Sequence, residues 1–489
     1  MNEKNRLILL IQPKHGIWDA LFSRVPEALL AIAALPYKEG YDIRIIDMRV
    51  NPHWKNELLH YLKMNPLCVG ITSLTGPSLK YAIEAAKLVK KNNPSVKVVF
   101  GGVHVTLLPE QSIKSKYIDI IVKGEGDYSF LELIRALEEN KPFDGIKGIY
   151  YKTKKGVVFT GEPELIRDMD ALADYPYDIL DLSKYSAVDF GKGKSISFQT
   201  ARGCPFACKF CSNARLQKSC WRHMSVGKVI RKIRMLQDKY GYDAFVFIDD
   251  CLSANINHFR ELLGELCKLK KKIFWTAIGV RADLIVRMSD GDLKMLRKSG
   301  CKALDIGIES GSEIVLRNIL KGETKETMEK ANKLLAKQPV SVKYTFVIGF
   351  PNETEEQMYE TIDFYLKLVK DNRHAYPMIF IYTPVAGTAL YYESLKNGFK
   401  QPKTMEDWIN MDLRSWLYEY PNWIPKNKRK ELETISVSSL FCNKNAKYKI
   451  TKPLSKLIFS LYHPVANLRF KYKFFKLPIE VTLSRFIKF

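Results

Sequence analysis

The stretch Gln199-Thr200-Ala201-Arg202-Gly203-Cys204-Pro205-Phe206-Ala207-Cys208-Lys209-Phe210-Cys211 decides how this chain is read. Three cysteines at C-x3-C-x2-C follow an alternating polar–apolar run, Ser195–Gln199, that predicts a strand. Arg202-Gly203 opens the loop that carries them. Thiolates are soft ligands, and three close together can hold three irons of a cubane cluster and leave the fourth iron open. A tetrahedral zinc site is the other reading; it wants a fourth ligand, which Cys220 can supply.

Downstream the chain alternates strand and helix signals. Strands are predicted at Ala244–Ile248, Ile273–Ile278, Ala303–Ile308, Val342–Ile348 and Met378–Tyr382. Helical periodicity covers Val226–Tyr240, Asn257–Leu269, Asp290–Ser299, Thr324–Lys337 and Glu355–Lys370. With the strand before the cysteines, this predicts a partial (β/α)6 barrel, whose chemistry lies at the C-terminal ends of the strands. Polar and glycine-rich segments fall there: Phe247-Ile248-Asp249-Asp250, Arg281-Ala282-Asp283, Gly307-Ile308-Glu309-Ser310-Gly311, Gly349-Phe350-Pro351-Asn352-Glu353-Thr354, and Tyr382-Thr383-Pro384 leading to Gly387-Thr388. Each alone also reads as a Gly/Pro turn or a helix N-cap. Their order along the chain is the informative part.

Upstream, residues 1–140 show the same alternation. Strand-like runs at Leu7–Ile11, Ile43–Asp47, Val69–Ser73, Val96–Phe100 and Ile118–Val122 enclose helical patterns such as Pro26–Lys38, Ser78–Lys91 and Tyr128–Glu139. Five β/α units predict an open, doubly wound parallel sheet of Rossmann or flavodoxin type. Such a sheet binds ligands beyond the carboxyl ends of its strands. The loops there, Ser73-Leu74-Thr75-Gly76, Gly101-Gly102-Val103-His104 and Gly124-Glu125-Gly126, carry glycines that let a flat ligand approach the backbone. Residues 141–190 lack periodicity and read as a connector. Residues 191–395 form the barrel, and 396–489 a mostly helical extension containing Trp408, Trp416 and Trp423.

Of 489 residues, 46% are hydrophobic and 27% charged, which describes a folding chain of two or three domains. The apolar N-terminal run is too short for a signal peptide, and none approaches the roughly 18 residues that span a bilayer. A cytoplasmic protein is expected. Nine cysteines then mean reduced thiols, some of them metal ligands, and not a disulfide scaffold. The net charge is +24, and residues 426–489 hold 15 Lys and Arg against 3 Asp and Glu. Aromatic and aliphatic residues interleave with these cations from Leu454 to Phe475. That composition suits a helix lying in a membrane interface, and equally a helix packed on the barrel with a solvated basic face. Nothing beyond charge points to nucleic acid.

The cysteine triad after the first barrel strand, the aromatic Phe210 before its last cysteine and the ordered strand-end segments resemble the radical S-adenosylmethionine (SAM) superfamily. The resemblance implies a [4Fe–4S] cluster on Cys204, Cys208 and Cys211 whose open iron chelates SAM. Reductive cleavage of SAM then yields a 5′-deoxyadenosyl radical, with the electron drawn from a donor such as ferredoxin or flavodoxin. It implies SAM contacts at Phe210, Asp250, Arg281, Glu309, Gly349 and Pro384. With a sheet domain ahead of the barrel, roughly residues 5–395 are similar to the cobalamin-binding group, which includes class B methyltransferases and the anaerobic magnesium-protoporphyrin cyclase. Cobalamin contacts then map onto Ser73, Thr75, Gly101, Gly102, His104 and Gly126, with the cofactor between sheet and barrel. One departure stands out. The Asp-x-His-x-x-Gly motif that supplies a histidine to cobalt is absent, since Met48-Arg49 follow Asp47. His104 is left either near the corrin or as an ordinary loop histidine. The resemblance implies methylation of an unactivated carbon, or radical cyclisation or rearrangement without methyl transfer; a non-catalytic sensor would not need the SAM pocket. The basic, aromatic tail favours a hydrophobic, lipid-like small molecule as substrate.

Overall fold

The computed structural model describes residues 6–16, 19, 24–185, 194–411, 422–443 and 453–484. Trp416, the junction around residue 190 and parts of the basic tail lie outside them. The chain divides into two compact units, Met1–Asp189 with Gln401–Asp412, and Phe190–Lys400 with Leu413–Phe489.

The first unit is built on β1 (Leu7–Gln12), β2 (Asp42–Asp47), β3 (Cys68–Thr72), β4 (Lys97–Gly101), β5 (Ile120–Val122), β6 (Ile149–Thr153) and β7 (Gly156–Phe159). They form one sheet in the order β2-β1-β3-β4-β5-β6-β7. All six residues of β1 are buried, as a strand covered on both faces requires. The strand order reverses at β1 and β3, which opens a crevice beyond their carboxyl ends. The first five strands pair in parallel, as the sequence predicts. β6 and β7 add an antiparallel edge that the sequence pattern does not reveal. Only the start of β6 is buried, and its turn is lysine-rich, so no two-residue alternation develops. Tyr150 stacks on Phe159 across this hairpin with ring centroids 4.2 Å apart.

A distant segment completes this unit. Trp408, in the turn Glu406–Asn410, is fully buried, and its Nε1 donates to Gln111 Oε1 at 2.7 Å. Gln111 Nε2 in turn donates to the Pro402 carbonyl at 2.8 Å.

The second unit carries β8 (Ser195–Phe198), β9 (Ala201–Arg202), β10 (Arg222–His223), β11 (Ala244–Phe247), β12 (Phe274–Val280), β13 (Cys301–Glu309), β14 (Ser341–Ile348) and β15 (Ala375–Ile381). Six of them make a parallel sheet in the sequential order β8-β11-β12-β13-β14-β15. Between them run the five helices that the sequence predicts, within two residues at each end. Alternate residues of β14 are buried toward those helices: Tyr344 donates to Asn332 Oδ1 at 2.8 Å, and the Phe346 ring meets Phe364 and Tyr365. The other set stays half-exposed, so the inner face of this open barrel is not filled as a closed (β/α)8 core is. Helices at Lys426–Phe441 and Pro453–Lys471 finish the unit. Among the described residues no helix is long and apolar enough to cross a membrane.

Candidate active site

The cysteine loop is a closed excursion. β9 and β10 pair antiparallel at its two ends, Arg202 opposite Arg222 and Ala201 opposite His223. Gly203 turns into it with φ +83°, and a Cβ there would collide with the Cys220 carbonyl. No other residue combines that backbone with that space. The two aspartates after β11 fasten the entry. Asp249 is buried and accepts from the Thr200 and Ala201 amides at 2.5 and 2.6 Å and from the Thr200 hydroxyl at 2.7 Å. Burial pushes its carboxyl up to about 6 against these donors. Asp250 accepts from the Gly203 amide at 2.8 Å. At the far end the Cys211 amide donates to the Cys208 carbonyl at 3.1 Å, and Cys211 begins the short helix Ser212–Leu216.

The three cysteines are unbridged; Cys204 and Cys211 are partly exposed and Cys208 is buried. A hydrogen bond with the Cys251 thiol, working against burial, holds Cys204 down to about 7. Burial pushes Cys211 up to about 11 and raises Cys208 as well. Two buried cations act on the triad in the opposite sense. Both Arg281 and Lys321 lower the Cys208 thiol, and Arg281 also lowers Cys204. Soft donors in one loop beside buried positive charge fit an anionic iron–sulfur cluster. Among the described residues no three His, Cys, Asp or Glu side chains converge on a single ion.

The cations belong to a network the sequence did not disclose. The Arg281 guanidinium lies 3.6 Å from the Phe206 ring centroid, donates to the Lys321 carbonyl at 3.2 Å and pairs with Asp283 and Glu323. Lys321 Nζ is 3.1 Å from Glu309 and 3.5 Å from Glu323. Burial pulls the Lys321 ammonium down, but the two carboxylates outweigh it and hold it above its ordinary range. Glu309 itself is reached by a bulge in β13 and has φ +67°, a costly backbone for a glutamate. Its neighbours Ser310 and Gly311 are anchored to Thr361 at 3.0 Å, which is a structural role.

Phe210 packs with Val315, Ile319, Phe350, Tyr382 and Leu390. A cavity of about 240 Å³ beside them is lined by Lys209, Ile319, Phe350, Glu353 and Leu390 among others. Gly349, at φ +81°, donates to Glu353 Oε2 at 2.5 Å, and Phe350 donates to the same oxygen at 3.1 Å. Glu353 Oε1 is buried without a partner, and burial pushes the group up to about 8. Pro384 is buried just past β15.

In the first unit, the loops after β3 and β4 meet at the sheet end. The Ser73 hydroxyl donates to the Gly101 carbonyl at 2.8 Å. Gly102, at φ +92°, lies so close to Ser73 and Thr72 that a Cβ would touch both at 2.8 Å, whereas a Cβ on Gly101 would meet only Val122 O, at 3.8 Å. Between Ser73 and Thr75, Leu74 is 45% exposed. Small residues around an exposed aliphatic side chain fit the approach of a broad apolar ring system. Gly126 begins the helix Asp127–Glu138. His104 is not an exposed loop residue. It sits fully buried on the helix Val103–Leu107, 3.0 Å from Thr75 Oγ1 through Nδ1 and edge-on to Trp408. Burial lowers it to about 4, so it is neutral, and its Nε2 has no partner.

Comparison with known proteins agrees with both halves. The family model of the radical SAM superfamily matches residues 198–365, and that of the B12-binding domain matches residues 25–134. An uncharacterized methyltransferase of Pyrococcus horikoshii is 33% identical over 399 residues, covering 80% of this chain and 84% of the relative. The anaerobic magnesium-protoporphyrin IX monomethyl ester cyclase of Rubrivivax gelatinosus is 28% identical, covering 79% and 69%. The cobalamin-dependent SAM radical enzyme OxsB, solved with aqua-cobalamin bound, superimposes with a TM-score of 0.74 at 19% identity, covering 98% of this chain and 75% of OxsB.

Proposed function

Because this chain belongs to the cobalamin-binding radical SAM enzymes, we propose that it methylates an unactivated carbon of a hydrophobic, lipid-like small molecule. The cluster, SAM and cobalamin supply the radical and methyl-transfer chemistry when bound. The protein's part is to hold, orient and exclude water. Cys204, Cys208 and Cys211 hold the cluster, and Arg281 and Lys321 balance its charge. Phe210, Asp250, Arg281, Glu309, Gly349 and Pro384 border SAM. Ser73, Thr75, Gly101, Gly102 and Gly126 border cobalamin, and buried His104 fixes Thr75 from beneath. The electron comes from ferredoxin or flavodoxin in the cytoplasm.

One observation carries the substrate class. The inner barrel face is half-exposed, and its residues nearest the reactive strand ends, Ile278, Gly307, Val347 and Phe380, are all apolar. Of two ion pairs on that face, Lys343–Asp305 at 2.8 Å lies toward the opposite end, and Lys321–Glu309 at 3.1 Å lies against Gly307. Ile278, Val347 and Phe380 at three neighbouring strand ends suit a substrate without charge at the reacting carbon. The test is turnover of reconstituted enzyme with methyl-deuterated SAM and a solvent extract of the source cells. Deuterium in an organic-phase product supports the proposal; deuterium confined to water-soluble metabolites defeats it. Similarity to the Rubrivivax cyclase favours a second reading, radical cyclisation without methyl transfer. A dehydrogenated or cyclised product free of label would select it.

A further inference from the structure

The helix Pro453–Lys471 has two apolar faces. One is held firmly. Phe459 stacks on Phe441 at 5.7 Å, Phe470 packs on Tyr365 at 5.2 Å, and the His463 ring lies 2.8 Å from the Phe441 carbonyl. A buried Arg469–Glu480 pair at 2.6 Å locks the end. The other face carries Leu454, Leu457, Leu461, Val465 and Leu468, which are 69, 56, 70, 42 and 55% exposed. Spacings of three and four residues put them in one stripe, roughly 21 Å long at 1.5 Å per residue. Nine of the eighteen exposed large apolar residues among the described residues fall between Leu454 and Ile479. Single exposed leucines need no explanation, but a contiguous stripe does.

From this we infer that the outer face of the tail helix docks on an anionic lipid bilayer, so that the enzyme works as a peripheral membrane protein. The inference does not depend on the substrate class.

Charge chooses the partner. Exposed Lys471 and Lys476 follow the stripe. A second copy of this chain would bring the same excess of cations, 15 against 3 in residues 426–489, and would be repelled. Protein interfaces are depleted in lysine and anchored by tryptophan, tyrosine and arginine, whereas this face offers aliphatic side chains on one convex helix flanked by lysine. Lysines beside aliphatic residues are what an interfacial helix presents to anionic head groups, and Tyr472, 69% exposed, stands where aromatic residues collect at a bilayer surface.

The experiment uses the full chain in flotation with vesicles of phosphatidylcholine alone or with added phosphatidylglycerol. The wild type is expected to float with the anionic vesicles and to be released by salt. Leu457→Glu, Leu461→Glu and Leu468→Glu together should weaken binding by at least about a hundredfold. Because these side chains are exposed, melting temperature and 5′-deoxyadenosine release should be unchanged. Lys471→Glu with Lys476→Glu should remove the preference for anionic lipid. No flotation of the wild type, or flotation indifferent to the three glutamates, overturns the inference. So does a dimer in solution that the glutamates dissociate without any vesicle binding.

Discussion

Glu353 illustrates what single residues contribute at this site. One of its oxygens caps the Gly349 and Phe350 amides, and the other is buried without a partner. Its folded-state value of about 8 lies above that of an unfolded glutamate, so the fold favours the neutral acid. Below pH ~4.3 both states are protonated and nothing is lost. As pH rises toward 8 the unfolded chain ionises freely while the folded chain resists, and stability falls across that window. Glu353→Gln should therefore match the wild type at pH 4 and exceed it by about 4–5 kcal/mol at pH 8 in urea titrations. A pH-independent difference would contradict this. Lys321 predicts the opposite kind of effect. Replacing it with methionine leaves Glu309 buried without its cation and Glu323 with Arg281 alone, and should lower unfolding free energy by about 3–5 kcal/mol. Adding Glu309→Gln should restore part of that loss in a double-mutant cycle. The cysteines were legible because their chemistry lies in local spacing. Lys321-Gly322-Glu323 was not, because in sequence it is indistinguishable from a surface turn, and its importance comes from burial among residues far along the chain.

At the level of elements, the loop between β9 and β10 depends on its first residue. Gly203→Ala forces both a disfavoured backbone and a collision with the Cys220 carbonyl. Iron and sulfide bound after reconstitution should fall by more than half, with the loss visible in the cluster's absorbance. Gly264 provides the control. It lies inside the helix Ile256–Cys267 with open space around its Cα, so Gly264→Ala should stabilise by about 0.5–1 kcal/mol and leave iron content alone. Strands and helices of both units were predictable where continuous apolar runs or helical periods mark them. The β6–β7 hairpin was not, since its burial stops after Tyr150 and its outer residues read as a polar connector. Asp249 and Asp250 were both visible in sequence as a strand-end pair. Their division of labour, one fastening Thr200 and Ala201 and the other Gly203, appears only in three dimensions.

For the whole molecule, the chain does not follow its own order. Residues 401–411 return to the first unit after the barrel is complete. Trp408→Ala should destabilise that unit by about 3–5 kcal/mol, as removal of a fully buried tryptophan does, and calorimetry that resolves two transitions should show one lowered and the other unmoved. No local pattern announces such a return, because nothing in residues 401–411 shows which sheet they will cover. The two-unit plan itself was legible, since two successive β/α series with different strand-end chemistry mark it. The proposed role of Cys204, Cys208 and Cys211 in SAM cleavage is read out by anaerobic reconstitution with iron, sulfide, dithionite and SAM, followed by chromatographic measurement of 5′-deoxyadenosine. The wild type should release it, and each of Cys204→Ala, Cys208→Ala and Cys211→Ala should reduce it to background. Undiminished release from the alanine variants would contradict the account.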